Sequence, residues 1–212
     1  MQIFPLDLKC IAALIVAYLL GSVSSAILLC RWLNLPDPRE RGSNNPGATN
    51  VLRIAGKPLA ATVLVLDALK GWLAVSLASL LSTGNFFIAS IGVAVFLGQL
   101  FPVFFNFRGG KGIAVTLGVI LAWHWPLALL CLFAWLTTFI IYRISGLAGI
   151  AATLTVTTMS VWALTHGNLL ALNLGELPQE FSIAILILAA FVSYKHKDNV
   201  KRLINNADNI SL

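Results

Sequence analysis

The sequence predicts an all-α integral membrane protein of about seven transmembrane helices, with the N-terminus outside and the C-terminus cytoplasmic. Three observations predict it. Hydrophobic residues make up 58% of the 212 and charged residues only 10%, with a mean hydropathy of +0.89, which is more apolar surface than a globule of this size can hide. The apolar residues fall in long runs, and a run inside a bilayer must satisfy every backbone N–H and C=O internally, which makes it a helix. The basic residues gather in alternate loops, and that asymmetry sets the orientation.

In chain order the expected spans are Leu8 to Cys30, Leu59 to Leu81, Phe86 to Phe105, Ile113 to Trp123, Pro126 to Tyr142, Leu147 to Thr165 and Phe181 to Tyr194. The first has Asp7 and Lys9 at its start in place of a basic leader and runs past the length of a signal core, so it is expected to be retained. The fourth is short, roughly 16 Å at about 1.5 Å per residue, and is expected to tilt little or to cross only in part. No soluble segment is long enough to stand alone, so residues 1–212 are expected to form a single polytopic domain. No clear internal repeat is visible, which argues against a transporter built from inverted halves.

With the N-terminus outside, the inner loops collect Arg31, Arg39, Arg41, Arg53, Lys57, Arg108, Lys111, Arg143, Lys195, Lys197, Lys201 and Arg202. Lys9 is left outside and Lys70 falls within a span. The net charge of +6 is therefore concentrated on one face, where anionic membrane lipids are the first partner expected. Cys10, Cys30 and Cys131 lie in or beside apolar runs without metal-ligand spacing and read as packing residues. The inner loops hold no clustered carboxylates or His/Cys set, so no metal and no cofactor are expected. A monomer with no nucleic-acid partner is expected as well.

Three inner elements exceed what connectors require. "RGSNNPGATNVLRIAGKP" (41–58) offers Ser43, Asn45, Thr49 and Asn50 as hydroxyl and amide partners, with Arg53 as a permanent charge bearing a planar donor fork. Two readings stay open for it: a ligand-binding loop, or a turn-rich loop that caps the next helix. "FRGGKG" (107–112) sets Lys111 among Gly109, Gly110 and Gly112, where the main chain can approach an anion closely. It lacks Walker A spacing, so a monophosphate is a better expectation than a nucleoside triphosphate. "KHKDNVKRL" (195–203) places His196 and Asn199 three apart on one helix face, with Lys195 and Arg202 adjoining. For Lys197 and Lys201 headgroup contact is the expectation.

Inside the spans, Asp67 and Lys70 stand three apart, which points to mutual neutralisation, a site wall, or both. Ser22 and Ser25 near Gly21 read as close helix packing. His124 and His166 fall on the outer side and are left out of the site.

Taken together and in order, "GSNNPGATNVLR", "GQLFPVFFNFRGGKGIA" and "KHKDNVKRL" resemble the three signature motifs of the bacterial acyl-phosphate:glycerol-3-phosphate acyltransferase family, PlsY. The resemblance runs from about residue 21 to about residue 208. It implies a seven-helix membrane protein of the bacterial inner membrane with the motifs facing the cytoplasm. It also implies transfer of a fatty acyl group from acyl phosphate to the sn-1 hydroxyl of glycerol 3-phosphate, giving lysophosphatidate and phosphate. By the same resemblance His196, Asn199 and Lys111 are the catalytic candidates. Ser43, Asn45, Thr49, Asn50, Arg53, Gly109, Gly110, Gly112, Ser145 and Arg202 are the substrate-binding ones. The chain departs from the pattern at Gln99, where the family usually has His, at Asn44, where it often has Gly, and at Asn206-Ala207-Asp208, where it tends to end Gly-x-Glu. Gln99 can hydrogen-bond but cannot serve as a base.

The implied chemistry suits these residues. An acyl phosphate is an activated mixed anhydride, so the site needs no acyl-enzyme; it must hold two anions, stabilise the carbonyl oxyanion and help remove a hydroxyl proton. Lys111 with the glycine amides and Arg53 are the expected phosphate holders, and Asn199 the oxyanion or orientation donor. His196 or the departing phosphate takes the proton. An organophosphate transporter or a non-catalytic lipid-binding protein would want similar basic loops, and the order of the motifs argues against both.

Overall fold

The computed structural model describes residues 8–81, 84–166 and 174–197. All seven expected apolar runs are helical among the described residues, with differences that matter for the site. The first run is two helices, α1 (Leu8–Ser22) and α2 (Ser25–Trp32), bent by 46° at the break between them. The bend falls in the stretch read as close packing. There Ser24 starts α2 as its N-cap, its hydroxyl accepting from the Ile27 amide at 3.4 Å. A helix the sequence reading did not expect, α3 (Ala48–Ala55), lies in the first inner loop. Then follow α4 (Lys57–Leu81), α5 (Asn85–Leu100) with a 3-10 turn at Val103–Phe105, α6 (Ile113–Trp123), α7 (Trp125–Tyr142), α8 (Ser145–His166) and α9 (Gln179–Lys195).

Among the described residues four helical stretches are long and apolar enough to cross a membrane: Lys57–Leu81, Asn85–Phe105, Trp125–Tyr142 and Ser145–His166. The bent α1–α2 pair makes a fifth when counted as one span, while α6 is apolar but has only 11 residues. Leu64, Val65, Leu69 and Leu77 of α4 are exposed, as befits a helix whose outer solvent is hydrocarbon.

The chain divides into two compact units, Met1–Trp123 and His124–Leu212. In the first, α1 packs on α5 and α4 on α6, each pair seated by glycines on both partners. A Cβ at Gly21 would lie 2.0 Å from the Val95 carbonyl oxygen, and one at Gly98 would lie 2.1 Å from that of Tyr18. At the other crossing, Gly71 faces the Val115 carbonyl at 2.5 Å and Gly118 faces that of Ala68 at 1.9 Å. Lipid tails supply no hydrophobic drive between helices, so backbone-close van der Waals contact of this kind is what holds them.

In the second unit α7 packs on α8 and α8 on α9. His124 precedes α7 and caps it, its Nδ1 accepting from the Leu127 amide at 3.2 Å, which requires an unprotonated Nδ1. Burial holds this imidazole below its usual range. The folded-state value is thus lower than the unfolded one, so the cap's contribution is complete above the ordinary range near ~6.5 and is lost as pH falls. His124→Ala is expected to cost about 1 kcal/mol at pH 8. His124→Asn should retain the cap and lose less melting temperature than the wild type between pH 8 and 5.5, as read by thermal unfolding in detergent.

Candidate active site

The first motif loop is built around Asn50, which is 1% exposed. Its amide nitrogen donates to the carbonyls of Pro38 and Arg41, both at 2.8 Å, and its Oδ1 accepts from the Ser43 amide at 2.9 Å. Both amide donors are therefore engaged inside the loop, and the structure shows Asn50 as its internal bracket. Gly42 sits against that bracket at φ +64, where a Cβ would lie 2.2 Å from Asn50 Oδ1. Asn44 also has a left-handed backbone, at φ 56, a conformation that glycine and asparagine tolerate best. Both residue types at this position thus follow from one backbone requirement.

Helix α3 carries the other half of the motif. Ala48, Val51 and Ala55 turn into an apolar cluster with Ala26, Cys30 and Val63, so Thr49 and Arg53, four apart, share a different face. Among the described residues the side chains of Ser43, Asn45, Thr49 and Arg53 have no hydrogen-bond or ion-pair partner. This contrast separates the motif's two jobs: Asn50 holds the loop, and the other four polar side chains remain uncommitted.

The second motif loop rests on the end of α5. A Cβ at Gly109 would lie 2.1 Å from the Gln99 carbonyl oxygen and 2.5 Å from Pro102 Cδ. One at Gly112, where φ is +81, would lie 2.4 Å from the Phe96 ring. Gly110 donates its amide to the Gln99 carbonyl at 3.2 Å. The glycines thus serve first to let the loop lie flat on α5, and the Gly110 N–H in particular is engaged there. Lys111 is half-buried, whereas Arg108 is exposed. Asn106 and Phe107 are both left-handed, at φ 55 and 58. For an aromatic residue this is a strained conformation of the kind that gathers at functional loops.

The two loops meet. A Cβ at Gly110 would stand 3.2 Å from the Pro46 carbonyl. Arg39 pairs with Asp37 at 2.7 Å, donates to the Phe105 carbonyl at 3.3 Å, and lies 5.9 Å from the Phe105 ring centroid. The Arg39 hydrogen bonds hold the Asp37 carboxyl below its usual range, so this tie stays ionised at neutral pH. Sequence reasoning missed the tie, although "DPR" places the pair two residues apart in a loop.

Beneath the loops lies a closed polar cluster. Asp67 and Lys70 pair at 2.9 Å. Lys70 also donates to the Val23 carbonyl, at 2.7 Å, and to Gln99 Oε1. Asp67 accepts from the Ser25 hydroxyl at 2.8 Å and from Gln99 Nε2 at 3.2 Å. Of the two expectations for this pair, the geometry displays mutual neutralisation. The cluster also explains why the helix can break after Ser22, because the Val23 carbonyl finds a cationic partner there.

In the second unit, His196 ends α9 and is 3% exposed. Its Nδ1 lies 2.9 Å from the Val192 carbonyl oxygen. A carbonyl only accepts, so Nδ1 donates here, and whenever the ring is neutral its lone pair is on Nε2. His196 closes one end of a groove of about 290 Å³ between α8 and α9, lined by Thr153, Thr157, Leu186, Ala189 and Ser193 among others. Thr153 and Thr157 donate their hydroxyls to carbonyls of their own helix. Lys197 lies 4.5 Å from the Tyr194 ring centroid. Ser145 is the first residue of α8 and is half-buried. Asn199 and Arg202 lie outside the described residues.

Residues 11–206 match the family described as Glycerol-3-phosphate acyltransferase. The chain is 46% identical over 195 residues to a glycerol-3-phosphate acyltransferase of Legionella pneumophila strain Corby, covering 92% of this chain and 66% of that one. A glycerol-3-phosphate acyltransferase of Methylococcus capsulatus is 43% identical over 192 residues, with 91% of each chain covered. The fold is similar to a crystal structure of PlsY, an integral membrane glycerol 3-phosphate acyltransferase, in its glycerol 3-phosphate form. The TM-score there is 0.82 at 33% identity, with 93% of each chain covered. A second structure of PlsY, in its lysophosphatidic acid form, gives 0.79 at 32% identity.

Proposed function

The chain belongs to the glycerol-3-phosphate acyltransferase family, and on that premise we propose that it transfers a fatty acyl group from acyl phosphate to the sn-1 hydroxyl of glycerol 3-phosphate. The observation that carries the reading is the joined pair of motif loops, braced internally by Asn50 and Arg39, with Ser43, Asn45, Thr49 and Arg53 uncommitted among the described residues. Such a surface can take an organophosphate without first breaking its own contacts, which is the preorganisation phosphoryl ligands require.

In the proposed reaction Lys111 and Arg53 hold phosphate, and Ser43, Asn45 and Thr49 supply neutral hydrogen bonds. His196 receives the hydroxyl proton at Nε2, an assignment supported by the Nδ1–H that faces Val192. The glycerol oxygen bonds to the acyl carbon, the bond from that carbon to the phosphate oxygen breaks, and inorganic phosphate leaves. The α8–α9 groove receives apolar chain. Asn199 and Arg202 retain the roles the motif resemblance implies, with Ser145 a further substrate contact. We place the motif loops on the cytoplasmic side of the inner membrane, in a monomer that needs no metal.

The acyl-phosphate donor fits a site made of short loops, none of which offers a docking platform for a carrier protein or a nucleotide handle. Purified protein in detergent is expected to convert glycerol 3-phosphate and palmitoyl phosphate to lysophosphatidate, in EDTA as well as without it. Absence of product with verified acyl phosphate would sink the enzyme reading. A comparable rate with palmitoyl-CoA would refute the donor preference alone.

A further inference from the structure

We infer that Gln99 is a positioning residue for this reaction: its side-chain amide, clamped between Lys70 and Asp67, sets the end of α5 on which the Gly109-Gly110-Lys111 loop lies. The inference rests on the proposed role of that loop in holding phosphate. An ammonium only donates and a carboxylate only accepts, so the amide can serve both in one orientation alone, Oε1 to Lys70 and Nε2 to Asp67. The cluster is also saturated on its cationic side. Lys70 has three N–H groups, and they meet Val23, Asp67 and Gln99. All three side chains are buried, at 5% exposure for Gln99, 3% for Asp67 and 6% for Lys70.

Gln99 then touches the loop in two ways. Its carbonyl accepts from the Gly110 amide at 3.2 Å, and its Nε2 would stand 3.0 Å from a Cβ at Gly110. One residue therefore joins the ion pair to the loop through both its side chain and its main chain. Removing the amide leaves a buried ammonium one acceptor short and a buried carboxylate one donor short. Such groups do not stay unsatisfied, so the cluster must rearrange, and the residue that carries the loop moves with it.

A neutral imidazole has the same bridging capacity, one ring nitrogen accepting from Lys70 and the other donating to Asp67. An imidazolium does not, since it cannot accept. The groups facing position 99 are Asp67 and Lys70 on α4, Ser25 on α2, and Tyr18 on α1, whose hydroxyl donates to the Phe101 carbonyl at 2.6 Å. The loop itself brings Arg108 and Lys111, and α6 brings no titratable side chain.

The test compares wild type, Gln99→Met, Gln99→His and Lys111→Ala, purified in detergent, by steady-state kinetics in glycerol 3-phosphate at saturating palmitoyl phosphate. Gln99→Met is expected to raise KM for glycerol 3-phosphate at least about fivefold, with kcat within about threefold, because it disturbs a binding surface and not the reacting groups. Gln99→His at pH 8.5 should return KM to within about twofold of wild type. At pH 6 its KM, taken against wild type at the same pH, should rise at least about fivefold as the bridge is lost. An unchanged KM in Gln99→Met, or a fall in its kcat alone, overturns the inference. So does a Gln99→His profile that tracks wild type across pH, and this series decides alone if Gln99→Met does not fold. If Lys111→Ala is also without effect, it is the phosphate-holding role of the loop that has failed. Impairment of Lys111→Ala beside a normal Gln99→Met rejects the positioning role only.

Discussion

Lys111→Ala is expected to lower kcat/KM at least about tenfold while the protein still inserts and runs as a monodisperse species. A charge-assisted contact to phosphate contributes about 1.5–3 kcal/mol, and each 1.4 kcal/mol is roughly a factor of ten in rate. The half-buried position of Lys111 favours the upper part of that range, because partial exclusion of water strengthens the contact. Lys111→Arg should recover little. The guanidinium is a wide planar fork where the proposed contact is a point charge, and the flanking glycines leave little slack, with Gly110 and Gly112 both buried. If Lys111 only anchors α6 in the headgroups, then the Arg and Gln variants will both keep near-wild-type initial rates. That outcome would overturn the phosphate role.

Gly109→Ala should be equally damaging, for a reason that involves no charge. The added methyl would meet the carbonyl oxygens of Gln99 and Leu100 at 2.1 and 2.7 Å and the Pro102 ring at 2.5 Å. None of these can swing aside, so the loop must lift from α5 as a whole. A loss of at least about tenfold in kcat/KM is expected, because an ångström of misplacement in a positioning group costs on this scale or more. Two other glycines calibrate the result. Gly110→Ala should do less, its methyl lying 3.0 Å from the Gln99 Nε2 and 3.2 Å from the Pro46 carbonyl. Gly56→Ala, at φ +83 and ψ −178 with nothing within 4 Å, should cost only backbone strain, about 1–3 kcal/mol of stability, and leave the rate within about threefold. Initial rates over both substrates, with monodispersity as the folding control, give the order. A Gly109→Ala enzyme as fast as the Gly56→Ala one would show that the loop does not need its seat on α5.

The apolar runs were legible because bilayer thickness and backbone satisfaction leave helices almost no alternative, and every run but the first, which is two helices, became one helix close to its expected bounds. What escaped was polar or non-local. Helix α3 was hidden because Asn, Gly and Ser around it read as turn chemistry, yet Ala48, Val51 and Ala55 carried a faint helical period. The bend in the first run was hidden by its own composition, since Ser22 and Ser24 are as acceptable inside a packed helix as at a break. Asn50 and Thr49 are neighbours with similar hydrogen-bonding capacity, and only coordinates separate the residue that braces the loop from the one that faces outward. Gln99 looked like a departure because its meaning lies with Asp67 and Lys70, some thirty residues earlier, and no periodicity links positions so far apart.

The glycine seats bear on how such a chain is made. α1 ends at Ser22, and its packing partner α5 begins only at Asn85. α4 likewise starts before α6 exists, so neither pair can close as a simple sequential hairpin. Synthesis runs from the N-terminus, and helices enter the bilayer before they pack. α1 must therefore wait in lipid with the backbone around Gly21 uncovered until the segment around Gly98 has arrived. The backbone-close part of the first unit is then assembled by late, long-range docking in the plane of the membrane, and a chain interrupted before residue 85 would have α4 beside its first helix but not the α5 glycine seat.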